Sequence, residues 1–172
     1  MEKDLKRWIR DIPNFPVEGI IYRDITPLLK DPQAFRYAVS QMIERIKDLD
    51  FKTIVAPEAR GFVFASTIAY ELGKGFVPVR KPGKLPYETV YIRCTLEYGD
   101  AELHVHKDAI ERGDSVLIVD DVLATGGTVN AIARLMEKQG GRVVGILALI
   151  ELSYLNPRNR LKNYRVESVL VY

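Results

Sequence analysis

"SVLIVDDVLATGGTVNA", Ser115 to Ala131, sets two carboxylates, Asp120 and Asp121, at the end of an apolar run and follows them with a Thr-Gly-Gly-Thr turn at 125–128. Val116 to Val119 reads as a buried strand, and the glycine turn opens a helix over 127–139. Consecutive backbone N–H groups at such a turn form a nest for an anion, and the helix dipole adds to the attraction. Carboxylates repel anions but accept hydrogen bonds from hydroxyl groups. A ligand that satisfies both ends is phosphorylated at one end and polyhydroxylated at the other. No lysine accompanies the glycines, so the turn is not a nucleotide P-loop. The aspartates suit the hydroxyls of a ribose, and they could also help position a divalent cation.

Outward from this stretch the chain alternates strand-like and helix-like runs. "KTIVA", a helix over 61–73, "GFVPV", two strand-like runs across 89–105, "SVLIVD", the helix 127–139 and "RVVGILALI" follow one another. That order predicts an α/β fold with a largely parallel twisted sheet and helices on both faces, with ligands outside the carboxyl ends of the strands. Upstream, Asp31 and Pro32 supply an N-cap and a first-turn proline for a helix facing the core through Phe35, Val39, Met42, Ile43, Ile46 and Leu49. Leu5, Trp8, Ile9 and Ile12 recur at helical spacing, which predicts a helix stopped by Pro13. Pro82, Gly83, Pro86 and Gly99 break the pattern between 81 and 107 into what reads as a mobile hairpin.

At 172 residues the chain suits one well-buried domain, expected to span 1–172. Lysine plus arginine number 25 against 23 aspartate plus glutamate, a balance that gives no reason to expect a nucleic-acid or membrane-surface partner. Cys94 is the single cysteine, which fits a reducing compartment and a packing role. The charged stretch "MEKDLKRWIRDIP" is helix-patterned and does not read as a secretory leader, and no apolar run approaches the roughly 18 residues of a membrane span. The expected location is cytoplasmic.

The run of strand, Asp-Asp, Gly-Gly-Thr and helix resembles the phosphoribosyl pyrophosphate signature of the type I phosphoribosyltransferases. "FPVEGIIYRDITPLL" (15–29), "PEARGF" (57–62), "VPVRKPGKLP" (77–86), "LEYG" (96–99) and "HKDAI" (106–110), in that order, resemble the adenine phosphoribosyltransferase family. Members transfer the 5-phosphoribosyl group from phosphoribosyl pyrophosphate to N9 of adenine, giving AMP and pyrophosphate in purine salvage. The resemblance implies that Asp120, Asp121, Ala124, Thr125, Gly126, Gly127 and Thr128 bind phosphoribosyl pyrophosphate, together with the basic Arg60, Arg80, Lys81 and Lys84. Cations there suit a leaving group of several negative charges. A β-branched side chain at Gly127 is expected to obstruct the phosphate. Ile21, Tyr22 and Arg23 match the base-binding segment, within a hood contributed by residues 1–30. Glu97 matches the acid/base group on the mobile hood, with Tyr98 beside it. Magnesium is the implied cofactor, carried mainly on substrate oxygens, with Asp120 or Asp121 as candidate contacts. The implied assembly is a homodimer, and a cis peptide not preceding proline is implied within Glu58-Ala59-Arg60.

The chain departs from the family pattern at Pro57, at Arg93 and Cys94, and in the tail "YLNPRNRLKNY", which lacks a glycine usual there. His104 and His106 are expected in surface or supporting roles. Two rival readings stay open: a phosphoribosyltransferase for a 6-oxopurine (hypoxanthine, guanine or xanthine), and a non-catalytic regulator that binds phosphoribosyl pyrophosphate. Base-edge hydrogen-bond polarity separates the first rival from adenine transfer.

Overall fold

The apolar runs of the sequence become the strands of one parallel sheet in the computed structural model, which describes residues 4–96 and 99–172. Contacts divide the chain into two units, Met1–Gln41 and Met42–Tyr172. In the first, the helix expected through Ile12 is replaced by a 3-10 turn at Leu5–Trp8 and a strand, β1 (Arg10–Pro13). The helical spacing gives way because Ile12 pairs with Tyr22 of an antiparallel partner, β2 (Ile21–Asp24), and tertiary pairing outweighs local period. Between them Asn14 turns the chain at φ +57°, its side-chain oxygen accepting from the Gly19 amide at 2.9 Å. A short helix, α1 (Thr26–Lys30), follows Asp24, whose carboxylate accepts from both the amide and the hydroxyl of Thr26 at 2.9 Å. Asp31 is the expected N-cap of α2 (Pro32–Arg45), accepting from the amides of Gln33 at 3.0 Å and Ala34 at 2.7 Å. Ala34, Ala38, Val39 and Met42 are the buried face of that helix, while Phe35 and Ile43 are half-buried.

The second unit contains β3 (Thr53–Pro57), α3 (Arg60–Leu72), β4 (Gly75–Val79), β5 (Thr89–Leu96), β6 (Gly99–His106), β7 (Ser115–Leu123), α4 (Gly127–Lys138), β8 (Arg142–Glu151) and β9 (Val166–Val171). Its sheet runs β4-β3-β7-β8-β9, with every pairing parallel. Val55, Val116, Ile118, Ile146 and Ala148 point to one face and join a core with Ile132, Leu135 and Met136 of α4. Ile54, Leu117 and Leu147 alternate to the other face and are equally buried. Burial on both faces explains why these strands read as continuous apolar runs.

The strand order places the site. From β3 the chain steps outward to β4, whereas from β7 it steps the other way to β8 and β9, so the two directions diverge between β3 and β7. At such a switch point the loops after the two strands part and leave a crevice. The hairpin read across 89–105 is present as β5 and β6, in register from Thr89–His106 to Leu96–Gly99. It is tied to the sheet by reciprocal backbone bonds between Arg80 and His104, 2.9 and 2.8 Å, and by the buried Leu103 and Val105. Cys94 packs against the same core, as expected, and burial pushes its thiol pKa up. Among the described residues no helix is long and apolar enough to cross a membrane.

Where α3 starts, Gly61 lies against β7. A Cβ there would meet Asp120 Oδ1 at 3.0 Å, Pro57 Cδ at 3.2 Å and the Val119 carbonyl oxygen at 3.4 Å. Gly61→Ala is therefore expected to destabilise the fold by about 1–3 kcal/mol through overpacking. In thermal unfolding, where each kcal/mol moves the midpoint by roughly 2–4 °C, this variant should melt below the parent.

Candidate active site

The crevice is built by three loops at the carboxyl ends of β3, β4 and β7. After β3 the Glu58–Ala59 peptide is cis, at the place the resemblance implies. Glu58 donates its amide to the Val79 carbonyl at 3.0 Å, and its carboxylate accepts from the Lys81 amide at 2.8 Å and Arg80 Nε at 3.2 Å. The Lys81 amide, with Arg80 beside it, holds the Glu58 carboxyl below the usual range. Arg80 Nη1 also reaches the Lys84 carbonyl, at 3.4 Å, so the basic loop is folded around Glu58. The sequence reading does not single out Glu58; its one signal is a carboxylate within "PEARGF" ahead of a basic loop.

Asp120 and Asp121 end up in different surroundings, because successive residues of a strand face opposite ways. Asp121 is buried, and its Oδ2 lies 3.0 Å from Arg60 Nε. Asp120 accepts from the Asp121 amide at 2.8 Å and lies against the start of α3. Burial first, and the neighbouring Asp121 charge second, push the Asp120 carboxyl well above the usual range. The N-cap of α4, Gly126, offers no side-chain cap, and of the first-turn amides Gly127 makes one long bond, 3.5 Å, to Thr125 Oγ1. Such amides lack intrahelical acceptors and remain available to an anion.

The conformational demand of this turn falls on Gly126 rather than on the expected Gly127. Gly126 has φ +82°, and a Cβ on it would come within 2.9 Å of the Pro157 carbonyl oxygen. A Cβ on Gly127 would meet Leu96 Cδ2 at 3.3 Å, a contact with the end of a flexible side chain.

Among the described residues, two adjoining hollows lie in the crevice. One, of about 730 Å³, is lined by Pro57, Glu58, Arg80 and Lys81 below and by Arg93, Leu96 and Glu102 of the hairpin. The other, of about 200 Å³, lies over Ala124 to Val129 and includes Asp120. Leu96 and Thr128 line both. The structure thus brings Arg80, Lys81, Asp120 and the 124–128 turn together, with Arg60 bound to Asp121 beside them. Lys84 is exposed on the same basic loop. Glu97 and Tyr98 lie outside the described residues.

In the first unit, Ile21, Tyr22 and Arg23 are consecutive in β2, so Tyr22 faces away from Ile21 and Arg23. Ile21 is exposed, Tyr22 meets Phe15 edge to face at 5.1 Å, and Arg23 pairs with Asp11. His104 is engaged within the β5–β6 hairpin. Its ring lies 3.1 Å from Thr89 Oγ1 and 3.0 Å from Glu102 Oε2, stacked on Tyr91.

The family described as "Phosphoribosyl transferase domain" matches residues 28–169. An adenine phosphoribosyltransferase of Pseudothermotoga lettingae is 62% identical over 169 residues, covering 98% of this chain and 99% of the relative. A crystal structure of adenine phosphoribosyltransferase from Thermoanaerobacter pseudethanolicus superposes with a TM-score of 0.96 at 50% identity, covering 98% of both chains. That of the Saccharomyces cerevisiae enzyme, complexed with an imino-altritol bisphosphate and adenine, has a TM-score of 0.90 at 37% identity, covering 97% of both chains.

Two variants test the physical reading of the turn. Gly126→Ala is expected to melt below the parent, whereas Gly127→Ala should stay close to it. Asp120→Asn should raise the melting temperature at neutral pH. The raised folded-state pKa means that ionising Asp120 opposes folding at pH above the unfolded value, and the advantage of asparagine should vanish as pH falls below about 4. Melting curves across pH check both; a destabilised Asp120→Asn at pH 7 contradicts the electrostatic account.

Proposed function

The chain belongs to the phosphoribosyltransferase family, among its adenine phosphoribosyltransferases, and from that premise we propose that it transfers the 5-phosphoribosyl group of phosphoribosyl pyrophosphate to N9 of adenine, releasing pyrophosphate and forming AMP. The observation that carries the reading is the pairing, across one switch-point crevice, of a glycine-led helix start that shares a hollow with Asp120 and a cationic loop clipped in place by Glu58. A phosphate at the 124–128 turn and a pyrophosphate against Arg80, Lys81 and Lys84 are the two ends of one substrate, and the ribose spans them.

In this reading the 5-phosphate accepts from the backbone amides of Ala124 to Thr128 and from the threonine hydroxyls. Asp120 accepts from a ribose hydroxyl. Asp121 acts through Arg60, which it holds at the start of α3 beside the crevice. Bond breaking at the anomeric carbon leaves positive charge on the ribose and adds negative charge to the departing pyrophosphate. The cationic loop stabilises that added charge. Adenine attacks through N9 and gives up its N9 proton. Glu97, matched by resemblance, is the acceptor for it.

Adenine is held by the 1–30 hood through β2, whose backbone groups read the base edge, with Ile21, Tyr22 and Arg23 around it. Residues 1–172 work as one catalytic domain, assembled as a homodimer in the cytoplasm. Magnesium, where bound, would be carried mainly on the oxygens of phosphoribosyl pyrophosphate and would screen their charge. Asp121 is engaged by Arg60, which leaves Asp120 as the carboxylate of the pair that would contact the ion.

A screen of free bases with phosphoribosyl pyrophosphate and magnesium, followed by pyrophosphate release, tests this reading. Adenine is expected to support rapid release and the 6-oxopurines little. Faster turnover with hypoxanthine or guanine moves the assignment to a 6-oxopurine enzyme. Binding of phosphoribosyl pyrophosphate without turnover on any base makes the chain a regulator.

A further inference from the structure

The two hollows differ in the cations they offer. The larger is bordered by Arg80, Lys81 and Arg93 together with Glu58, Asp100 and Glu102, whereas among the described residues no lysine or arginine lines the smaller one over the 124–128 turn, which does contain Asp120. A phosphate monoester in that turn would meet neutral amide dipoles and hydroxyls beside a carboxylate, with no cation to balance it.

A cation stands close by. After β8 the chain forms a 3-10 turn, Pro157–Arg160, within the tail that departs from the family pattern. Arg160 Nη1 lies 3.5 Å from the point a Cβ on Gly127 would occupy, next to Thr125 Oγ1 at 3.6 Å from the same point. Arg160 is exposed, and among the described residues its guanidinium makes no hydrogen bond or ion pair. The turn that carries it is well anchored. Arg158 forks onto the buried Glu151 with two bonds of 2.8 Å and donates to the Val166 carbonyl at 3.1 Å. Ser168 donates to the same carboxylate at 2.6 Å. Pro157 and Leu161 are buried, and both border the space beside Gly126.

Resting on the phosphoribosyl reading of the 124–128 turn, we propose that Arg160 is a further substrate-binding residue that grips the 5-phosphate of phosphoribosyl pyrophosphate and of AMP. A guanidinium can present two donors to two phosphate oxygens, and its long side chain spans the short distance from the Gly127 backbone to an anion in the nest. The fork of Arg158 on Glu151 anchors the turn, so the backbone of Arg160 is placed beside the helix start while its side chain stays free to meet a ligand. This supplies the 5-phosphate with its own cation, separate from the group that serves the leaving pyrophosphate.

Calorimetric titration of the full chain with ribose 5-phosphate and with inorganic pyrophosphate tests the division. Arg160→Ala is expected to weaken ribose 5-phosphate roughly fivefold to tenfold, the range of a charge-assisted bond discounted for exposure, and to leave pyrophosphate affinity unchanged. Arg160→Lys should restore part of the loss, and binding by Arg160→Ala should depend less on salt than binding by the parent. Because Arg160 is exposed, both variants should melt with the parent. Equal ribose 5-phosphate affinity in parent and Arg160→Ala overturns the proposal while leaving the phosphoribosyl reading intact; an equal loss for both ligands also overturns it. Absence of ribose 5-phosphate binding by the parent removes the reading of the turn itself, and the Arg160 assignment with it.

Discussion

Two carboxylates at the end of one buried strand would repel each other and suffer from desolvation unless their surroundings differed. The Arg60–Asp121 pair resolves this for one of them. By binding a side chain from the start of α3 to the end of β7, it joins the β3–α3 and β7–α4 loops across the gap where the sheet changes direction. Asp120 is left beside it with a raised pKa, an electrostatic cost in the free protein that a ligand rich in hydroxyl groups can offset.

The basic loop obeys the same rule of local compensation. Arg80, Lys81 and Lys84 would spread apart in water, yet one carboxylate, Glu58, takes the Lys81 amide and the Arg80 side chain together. Its depressed pKa means that this stabilisation is present at neutral pH and is lost as pH falls through the folded-state value. The lysine side chains stay exposed at the rim of the crevice, where charge can be directed at an arriving anion.

Close backbone approach is the second constraint. Gly61 lets α3 come against the end of β7, and Gly126 lets the phosphate turn sit against the Pro157 carbonyl. The tail is thereby part of the site's construction. Its Arg158–Glu151–Ser168 network, buried at its centre, sets the turn that carries Arg160.

Much of this architecture is legible in the chain. Parallel strands buried on both faces declare themselves as "KTIVA", "SVLIVD" and "RVVGILALI", the Asp31-Pro32 cap declares α2, and the Asp-Asp to Gly-Gly-Thr run declares a site for phosphate and hydroxyls, because these signals rest on local burial, capping and turn chemistry. The segment Leu5–Ile12 misleads for the opposite reason: its helical period is local, but Ile12 is claimed by a ladder with Tyr22 that forms through a distant contact. Tertiary structure alone decided that Asp121 takes Arg60 while Asp120 does not, that Glu58 organises the basic loop, that Gly126 rather than Gly127 bears the strained φ, and that Arg160 stands beside the helix start. Each of these depends on which loops the strand order brings to one edge of the sheet, and strand order is set by packing between elements far apart in sequence, on which local residue patterns carry no direct mark.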